Sequence, residues 1–304
     1  ENLTKFLVSG LLNIETTLKI KGFPIEYEPV SYPFLGIDSS VSGVGMNIGK
    51  ALHTLGDDVS LLSIIGRDME ADNIITTMKE IGVDCKYLLK GIDKTPRSVI
   101  LYDDDGKRQI FTDLKDIQET NYPQDKFMEA LKECDVAVLA NINFSRPFLQ
   151  KARELNKPIV SDVHVVNDIH DSYNSDFMKY ANVLFMSHEK IEGPVEYFAE
   201  QVLKEYNNDI LVVGMGAEGA LLCVRKDNFM GRFPAVKTRK VVNTVGAGDS
   251  LLSSFIHFYF KNYNPYEAIK KAIIFASYKI GEKGAANGFL QEETIESFYK
   301  ERYK

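Results

Sequence analysis

Short runs rich in valine, isoleucine and leucine recur along the chain. Each gives way to a turn marked by glycine or proline, and then to a stretch with helically spaced apolar positions. FLVSGLL (6–12) and VSLLSIIG (59–66) have the nearly continuous apolar character of strands buried on both faces. Between and after them, GMNIGKALHTLG (45–56) predicts a helix ended by Gly56. DMEADNIITTMKEIG (68–82) predicts another, with acids in its first turn and a glycine at its end. Further on, DVAVLAN (135–141), PIVSDVH (158–164), NVLFMS (182–187) and DILVVG (209–214) read as strands. The helical patterns FLQKARELN (148–156), DFMKYA (176–181) and VEYFAEQVLKEY (195–206) separate them. Apolar strands alternating with helices predict an α/β fold, with a mainly parallel sheet covered on both faces.

Two segments break the rhythm. Residues 18–41 are extended and carry Pro24, Pro29 and Pro33, and residues 97–113 (RSVILYDDDGKRQIFTD) are two strand-like runs around an Asp-Gly turn, a hairpin signal. Neither has helices to cover it. Together they predict a small β-lobe over one end of the large sheet, formed by about 16–41 and 93–114, although ordinary edge hairpins would leave the same local pattern. No internal repeat, low-complexity tract or linker divides residues 1–304, so the chain reads as one domain.

Composition narrows the chemistry. A formal net charge of −7 without a cluster of Lys and Arg argues against nucleic-acid partners, since neutralising phosphates supplies most of that affinity. A small anion can still be bound by backbone amides at a helix end. Cys85, Cys134 and Cys223 are too scattered for a disulfide framework or a CxxC zinc site. ENLTKFLVSGLL lacks a basic segment before its apolar stretch, and LLSSFIHFYF is interrupted by Ser and His, so no membrane association and a cytoplasmic location are expected.

Two glycine patterns need separating from their look-alikes. GMGAEG (214–219) has the spacing of a dinucleotide-binding fingerprint, but that fingerprint requires a helix next, and ALLCVR (220–225) is a second strand. A tight strand–strand turn that approaches a ligand fits better. SGVGMNIG (42–49) opens a helix, with bare amides at Gly43 and Gly45 and the side-chain amide of Asn47; a glycine-rich helix entry would look the same. No Walker A lysine motif is present.

In NTVGAGDSLLSSF (243–255), apolar positions 252, 255, 256 and 259 start a helix near Gly246–Asp249. Gly246, Ala247 and Gly248 leave their amides unshielded at its positive end, a form suited to a transferring phosphoryl group. Asp249 beside them could accept a proton from an attacking hydroxyl. On spacing alone, an aspartate in a glycine-rich turn at a helix start reads equally well. His53 and His257, on helical patterns, read as packing or surface residues, and Asp103–Asp105 as a solvated turn.

NTVGAGDS closely resembles the signature of the ribokinase-like (PfkB) carbohydrate kinases, usually written DTVGAGDS. SGVGMNIGKALHTLG is similar to that family's N-terminal GGxxxN…LG signature, VVGMGAEGALL to its nucleotide-loop strand pair, and GLLNIE (10–15) to its substrate-contacting first segment. The resemblance covers nearly the whole chain. It implies a three-layer α/β/α domain, with the β-lobe as a lid and often a surface for homodimer formation. It also implies phosphorylation of a hydroxyl on a sugar or nucleoside by ATP with Mg2+. Asp249 would be the base, Gly246, Ala247 and Gly248 the anion hole, and Asn13, Glu15, Gly43, Gly45, Asn47 and Asp249 the substrate contacts. Ser187, Gly214, Met215, Gly216, Gly219 and Gly248 would meet the nucleotide.

The chain departs from the family pattern in places. Asn243 replaces an acid that helps hold a monovalent cation, which puts that cation requirement in question. In MSHEK (186–190), Ser187 and Lys190 occupy the Asn and Glu positions of a magnesium-linked motif, leaving Glu189 as the carboxylate that could act through water. Glu15 stands where Asp is common and Ser42 where Gly is, so the substrate is expected to differ from plain ribose. The leading reading is a sugar kinase. A nucleoside kinase, for example for pseudouridine, is the alternative, and a non-catalytic sugar- or nucleotide-binding regulator is the reading from another class.

Overall fold

A computed structural model describes residues 3–303. Its large sheet has nine strands: β1 (Lys5–Ser9), β4 (Asp58–Ile65), β5 (Asp84–Lys90), β8 (Val136–Leu139), β9 (Ile159–Val165), β10 (Val183–Ser187), β11 (Ile210–Gly214), β12 (Ala220–Val224) and β13 (Phe229–Phe233). The order across it is β13-β12-β11-β10-β9-β8-β1-β4-β5. All neighbours from β11 to β5 run parallel, and the β11–β12–β13 edge is antiparallel.

Successive strand residues face opposite layers. Phe6 and Val8 join one apolar cluster while Leu7 joins the other. The first cluster is closed by α1 (Val44–Thr54), α2 (Met69–Ile81), α7 (Ala247–Asn262), α8 (Pro265–Lys279) and α9 (Glu292–Tyr303). The second lies under α3 (Gln124–Glu133), α4 (Phe148–Glu154), α5 (Ser175–Tyr180) and α6 (Val195–Glu205). This is the three-layer α/β/α arrangement that the sequence resemblance implied. Strands with no polar face require helices on both sides, because either side left open would expose an apolar sheet to water.

The expected helix ends are present. Asp68 caps α2 by accepting from the Ala71 amide at 3.0 Å, and Gly82 ends it at φ +91. No helix among the described residues is long and apolar enough to cross a membrane.

A separate four-stranded sheet runs in the order β3-β2-β6-β7, with β2 (Asn13–Lys19), β3 (Ile37–Ser42), β6 (Arg97–Tyr102) and β7 (Arg108–Asp113). It differs from the sequence expectation at both ends. FLVSGLL is not one strand: β1 stops at Ser9, and the chain changes sheets before Asn13. Gly10 marks the break, because a side chain there would meet the Gly45 backbone at 3.1 Å. Residues 20–36 form no strand, which suits their three prolines, since proline cannot donate to a ladder. The 103–105 turn is less solvated than expected. Asp103 is buried, and its carboxylate accepts from the amides of Asp105 and Lys107.

Candidate active site

The site lies at the carboxyl ends of the parallel strands, where crevices form in open α/β sheets. It draws on β2, α1, β9 and α7, with the turn after β11 beside them. Asp249, in the first turn of α7, is buried to 6% exposure. Its Oδ2 accepts from Asn47 Nδ2 at 2.8 Å, so the first turn of α1 orients the carboxylate on α7. Asn47 Oδ1 in turn accepts from Ser42 Oγ at 3.4 Å.

Burial pushes the Asp249 carboxyl up to about 6; nearby His164 and the Asn47 hydrogen bond pull it down, and Asp162 pushes it up again. Such a group is ionised at neutral pH yet basic enough to take a proton.

Gly246 precedes α7 at φ +78, a left-handed conformation that glycine adopts freely. A Cβ there would also press on Ala285 O at 3.0 Å. Of the three amides expected to form the anion hole, that of Ala247 donates to Thr244 O at 3.1 Å within the turn. Among the described residues, the amides of Gly246 and Gly248 have no protein acceptor.

Asn13 and Glu15 leave β2 side by side on one face, two residues apart. Both are buried, and each has one oxygen committed to nothing. Asn13 Nδ2 donates to Ser98 Oγ at 2.8 Å while its Oδ1 has no partner. Glu15 Oε2 accepts from Ser42 Oγ at 3.0 Å while its Oε1 has none. Buried acceptors are nearly always satisfied, so two orphans together call for a ligand that donates O–H or N–H groups.

Gly43 and Gly45 are both held by close packing, and of their two amides only that of Gly45 is taken up by the protein among the described residues. Gly43 stands at φ +101 with its Cβ direction blocked by Leu11 O at 2.4 Å. The Gly45 amide donates to Leu11 O at 2.9 Å. They let α1 close on the β1–β2 connection, which is what brings Asn47 to Asp249.

Ser187 and Gly214 are register partners at the ends of β10 and β11. Met215 is buried, its amide held by Gly219 O at 2.8 Å. Gly216 and Gly219 have φ +57 and +98, and a Cβ on Gly219 would strike Phe233 O at 2.0 Å. In the 214–219 turn, Gly219 is thus bare because of close backbone packing, whereas Gly216 has open space around it and owes its place to its positive φ. Gly214 faces Leu251 of α7, which places this turn beside the Asp249 helix. Glu189 is exposed beyond β10, with its amide donating to Ser187 Oγ at 3.4 Å.

Three residues of this site escaped the sequence reading. Asp162 and His164, on β9, approach Asp249 so closely that one ligand-type atom from each lies within 4.8 Å of the others. Asp162 Oδ1 accepts from the His164 amide at 2.7 Å, and His164 stands at φ +57. Burial disfavours the charged imidazole, but Asp162 and then Asp249 outweigh it and hold the group above its usual value. The third is Lys279, at the end of α8. By contrast, the bland reading of His257 stands: it is buried, bonded to Asp57 Oδ2 at 2.6 Å and Glu292 Oε1 at 3.2 Å, and belongs to the core.

Residues 4–292 match the model of the pfkB family carbohydrate kinases, and the chain belongs to that family. It is 25% identical over 309 residues to a ribokinase of Lactococcus lactis subsp. lactis, covering 98% of each chain. It is also 25% identical over 290 residues to a deoxyribokinase of Salmonella typhi, covering 90% of this chain and 92% of the relative. Its fold is similar to that of a microbiome-derived acarbose kinase, with a TM-score of 0.88 at 23% identity over 98% of this chain and 99% of the other.

Proposed function

We propose that this carbohydrate kinase transfers the γ-phosphoryl group of ATP to a hydroxyl of a neutral sugar, with Asp249 as general base. One observation carries the reading: a buried, oriented carboxylate stands at a glycine-opened helix start, with the unpartnered acceptors Asn13 Oδ1 and Glu15 Oε1 in the same site. The acceptors would fix sugar hydroxyls. The hydroxyl nearest Asp249 would attack phosphorus and pass its proton to the carboxylate, while the bond from phosphorus to the ADP oxygen breaks. The Gly246 and Gly248 amides, at the positive end of α7, would face the charge on the transferring group.

The turn at 214–219, with Ser187, would lie against the nucleotide. The donor set suits a magnesium ion carried mainly by phosphate and water: Glu189 offers one exposed carboxylate. The Asp162–His164–Asp249 cluster includes an imidazole and the base itself, a poor match for an ion that prefers all-oxygen coordination. When bound, the ion would neutralise phosphate charge. The small sheet would act as the lid, and its exposed Val99, Ile110 and Phe111 support pairing of two copies through it, which light scattering on a size-exclusion column would test.

An ADP-release assay with Mg-ATP tests the function across pentoses, 2-deoxypentoses, hexoses, sugar phosphates, acarbose and nucleosides. Turnover on a neutral sugar is expected; turnover on nucleosides alone, or on nothing, would overturn the substrate assignment. Asp249→Asn should lower kcat by about 10²-fold or more with little change in ATP affinity.

A further inference from the structure

Lys279 is the most deeply buried charged side chain among the described residues, and the mechanism above leaves it unused. Its side chain is wholly buried, and its Nζ donates to Val245 O at 2.6 Å, the carbonyl just before the anion-hole glycine. That is its one hydrogen bond among the described residues, although an ammonium has three donors, and no carboxylate lies within ion-pair distance of it. Burying an ammonium with so little compensation is costly, and an apolar side chain would fill the position at the end of α8 more cheaply.

The surroundings say what the charge is for. The turn leading into α7 is sewn onto the segment after α8: the amides of Val242 and Asn243 donate to Ile280 O, and Asn243 Nδ2 donates to Lys283 O. Asn243 Oδ1 accepts from the Val245 amide at 2.9 Å, so the two peptide groups flanking the Val245 Cα are each held, one at its N–H and one at its C=O. Fixing that carbonyl on Lys279 sets the peptide plane joining Val245 to Gly246, whose N–H is on the opposite side.

We propose that Lys279 is a built-in cation of the site: a positioning residue that draws the Val245 carbonyl back, aims the Gly246 amide outward, and supplies a fixed positive charge behind the phosphoryl group. This rests on the reading of 246–248 as an anion hole. It also implies that no dissolved monovalent cation is needed to do the same work.

The charged groups facing Lys279 are Glu15 from β2, Asp249 from α7, Arg108 from β7 and Glu282 beyond α8. Burial pushes the amine down to about 8, with Glu15 and Asp249 opposing the fall and Arg108 adding to it. The charged form is the one that binds the carbonyl, so turnover should fall as pH rises through that value.

The test compares wild type with Lys279→Met and Lys279→Arg, each first shown to be folded by circular dichroism. Replacing choline by potassium should leave the wild-type rate unchanged. Lys279→Met should lose about 10²-fold in kcat, the scale of losing one electrostatic donor to the transferring group, and regain activity saturably with added ammonium ion. Lys279→Arg should retain turnover and carry its alkaline limit to higher pH, a change that a purely structural role would not produce.

An absolute potassium requirement in wild type, full activity in Lys279→Met, or an unmoved alkaline limit in Lys279→Arg would overturn the inference while the proposed function stands. If wild type turns over no acceptor, the proposed function fails instead. The readout is then thermal stabilisation by Mg-ADP with aluminium fluoride, which Lys279→Met should lose; its retention would overturn this inference too.

Discussion

Removing the charge of Asp249 should make the protein more stable while making it a poor enzyme. Burial moves this carboxyl from an ordinary 3.8 to about 6. The folded state therefore holds the proton more tightly than the unfolded chain does. That advantage is whole below 3.8, shrinks as pH rises, and is gone above about 6, where the fold must keep a buried anion. The difference between the two values corresponds to about 3 kcal/mol at pH 7.5, and to about 1 kcal/mol at pH 4.5, where the folded state is protonated and the unfolded chain already mostly ionised.

Asparagine at 249 cannot ionise and keeps an oxygen for Asn47 Nδ2. With an unfolding entropy of about 2.1 cal/mol/K per residue, Asp249→Asn should raise the melting temperature by about 5 °C at pH 7.5 and by about 1–2 °C at pH 4.5. Circular dichroism melts of both proteins at the two pH values, without ligand, give the comparison. A variant that melts lower than wild type at pH 7.5, or gains equally at both, would show that burial is not what perturbs Asp249.

Glu15→Gln should reduce sugar kcat/KM by about 10- to 10²-fold, the worth of a hydrogen bond to a charged group, with the KM for ATP unchanged in steady-state assays. Gly43→Ala forces a side chain against Leu11 O at φ +101. It should cost about 1–3 kcal/mol in denaturant unfolding and raise the sugar KM by displacing Asn47. His257→Leu leaves Asp57 buried without its 2.6 Å partner, and should destabilise by about 3–5 kcal/mol in the same assay while kcat is unchanged.

What could be read in advance followed from local rules. Uninterrupted apolar strands announced a sheet covered on both faces, Gly82 and Asp68 marked the ends of α2, and ALLCVR after GMGAEG ruled out a dinucleotide-binding helix. Asp249 and Asn47 stood out as helix starts among glycines, a pattern that left their roles open until the resemblance of those two stretches to the family signatures singled them out. Asp162 and His164 were not, because PIVSDVH reads as an apolar strand, and the positive φ of His164 leaves no trace in its neighbours. Lys279 was hidden for another reason. A lysine in the last turn of a helix is what an exposed, dipole-matched end would carry, so its burial becomes visible only once α8 is packed against the 243–246 turn. The break after Ser9 was equally unreadable: it depends on Gly45, a residue 35 positions away that comes within 3.1 Å of where a Gly10 side chain would stand.

The Asn47–Asp249 hydrogen bond joins residues 202 positions apart. Its consequence lies in the order of assembly. At about 5–20 residues per second, a ribosome makes Asp249 some 10–40 s after Asn47, and the chain must emerge before the two can meet. Throughout that interval β1, β4 and α1 exist without α7, one of the helices that covers their face of the sheet. A sugar therefore cannot template the growing chain, because half of its binding groups precede their partners by most of the translation time. Ligand can act as a folding aid only at the last step, by trapping a nearly finished molecule, and until then the apolar face awaiting α7 is open to chaperones and to aggregation.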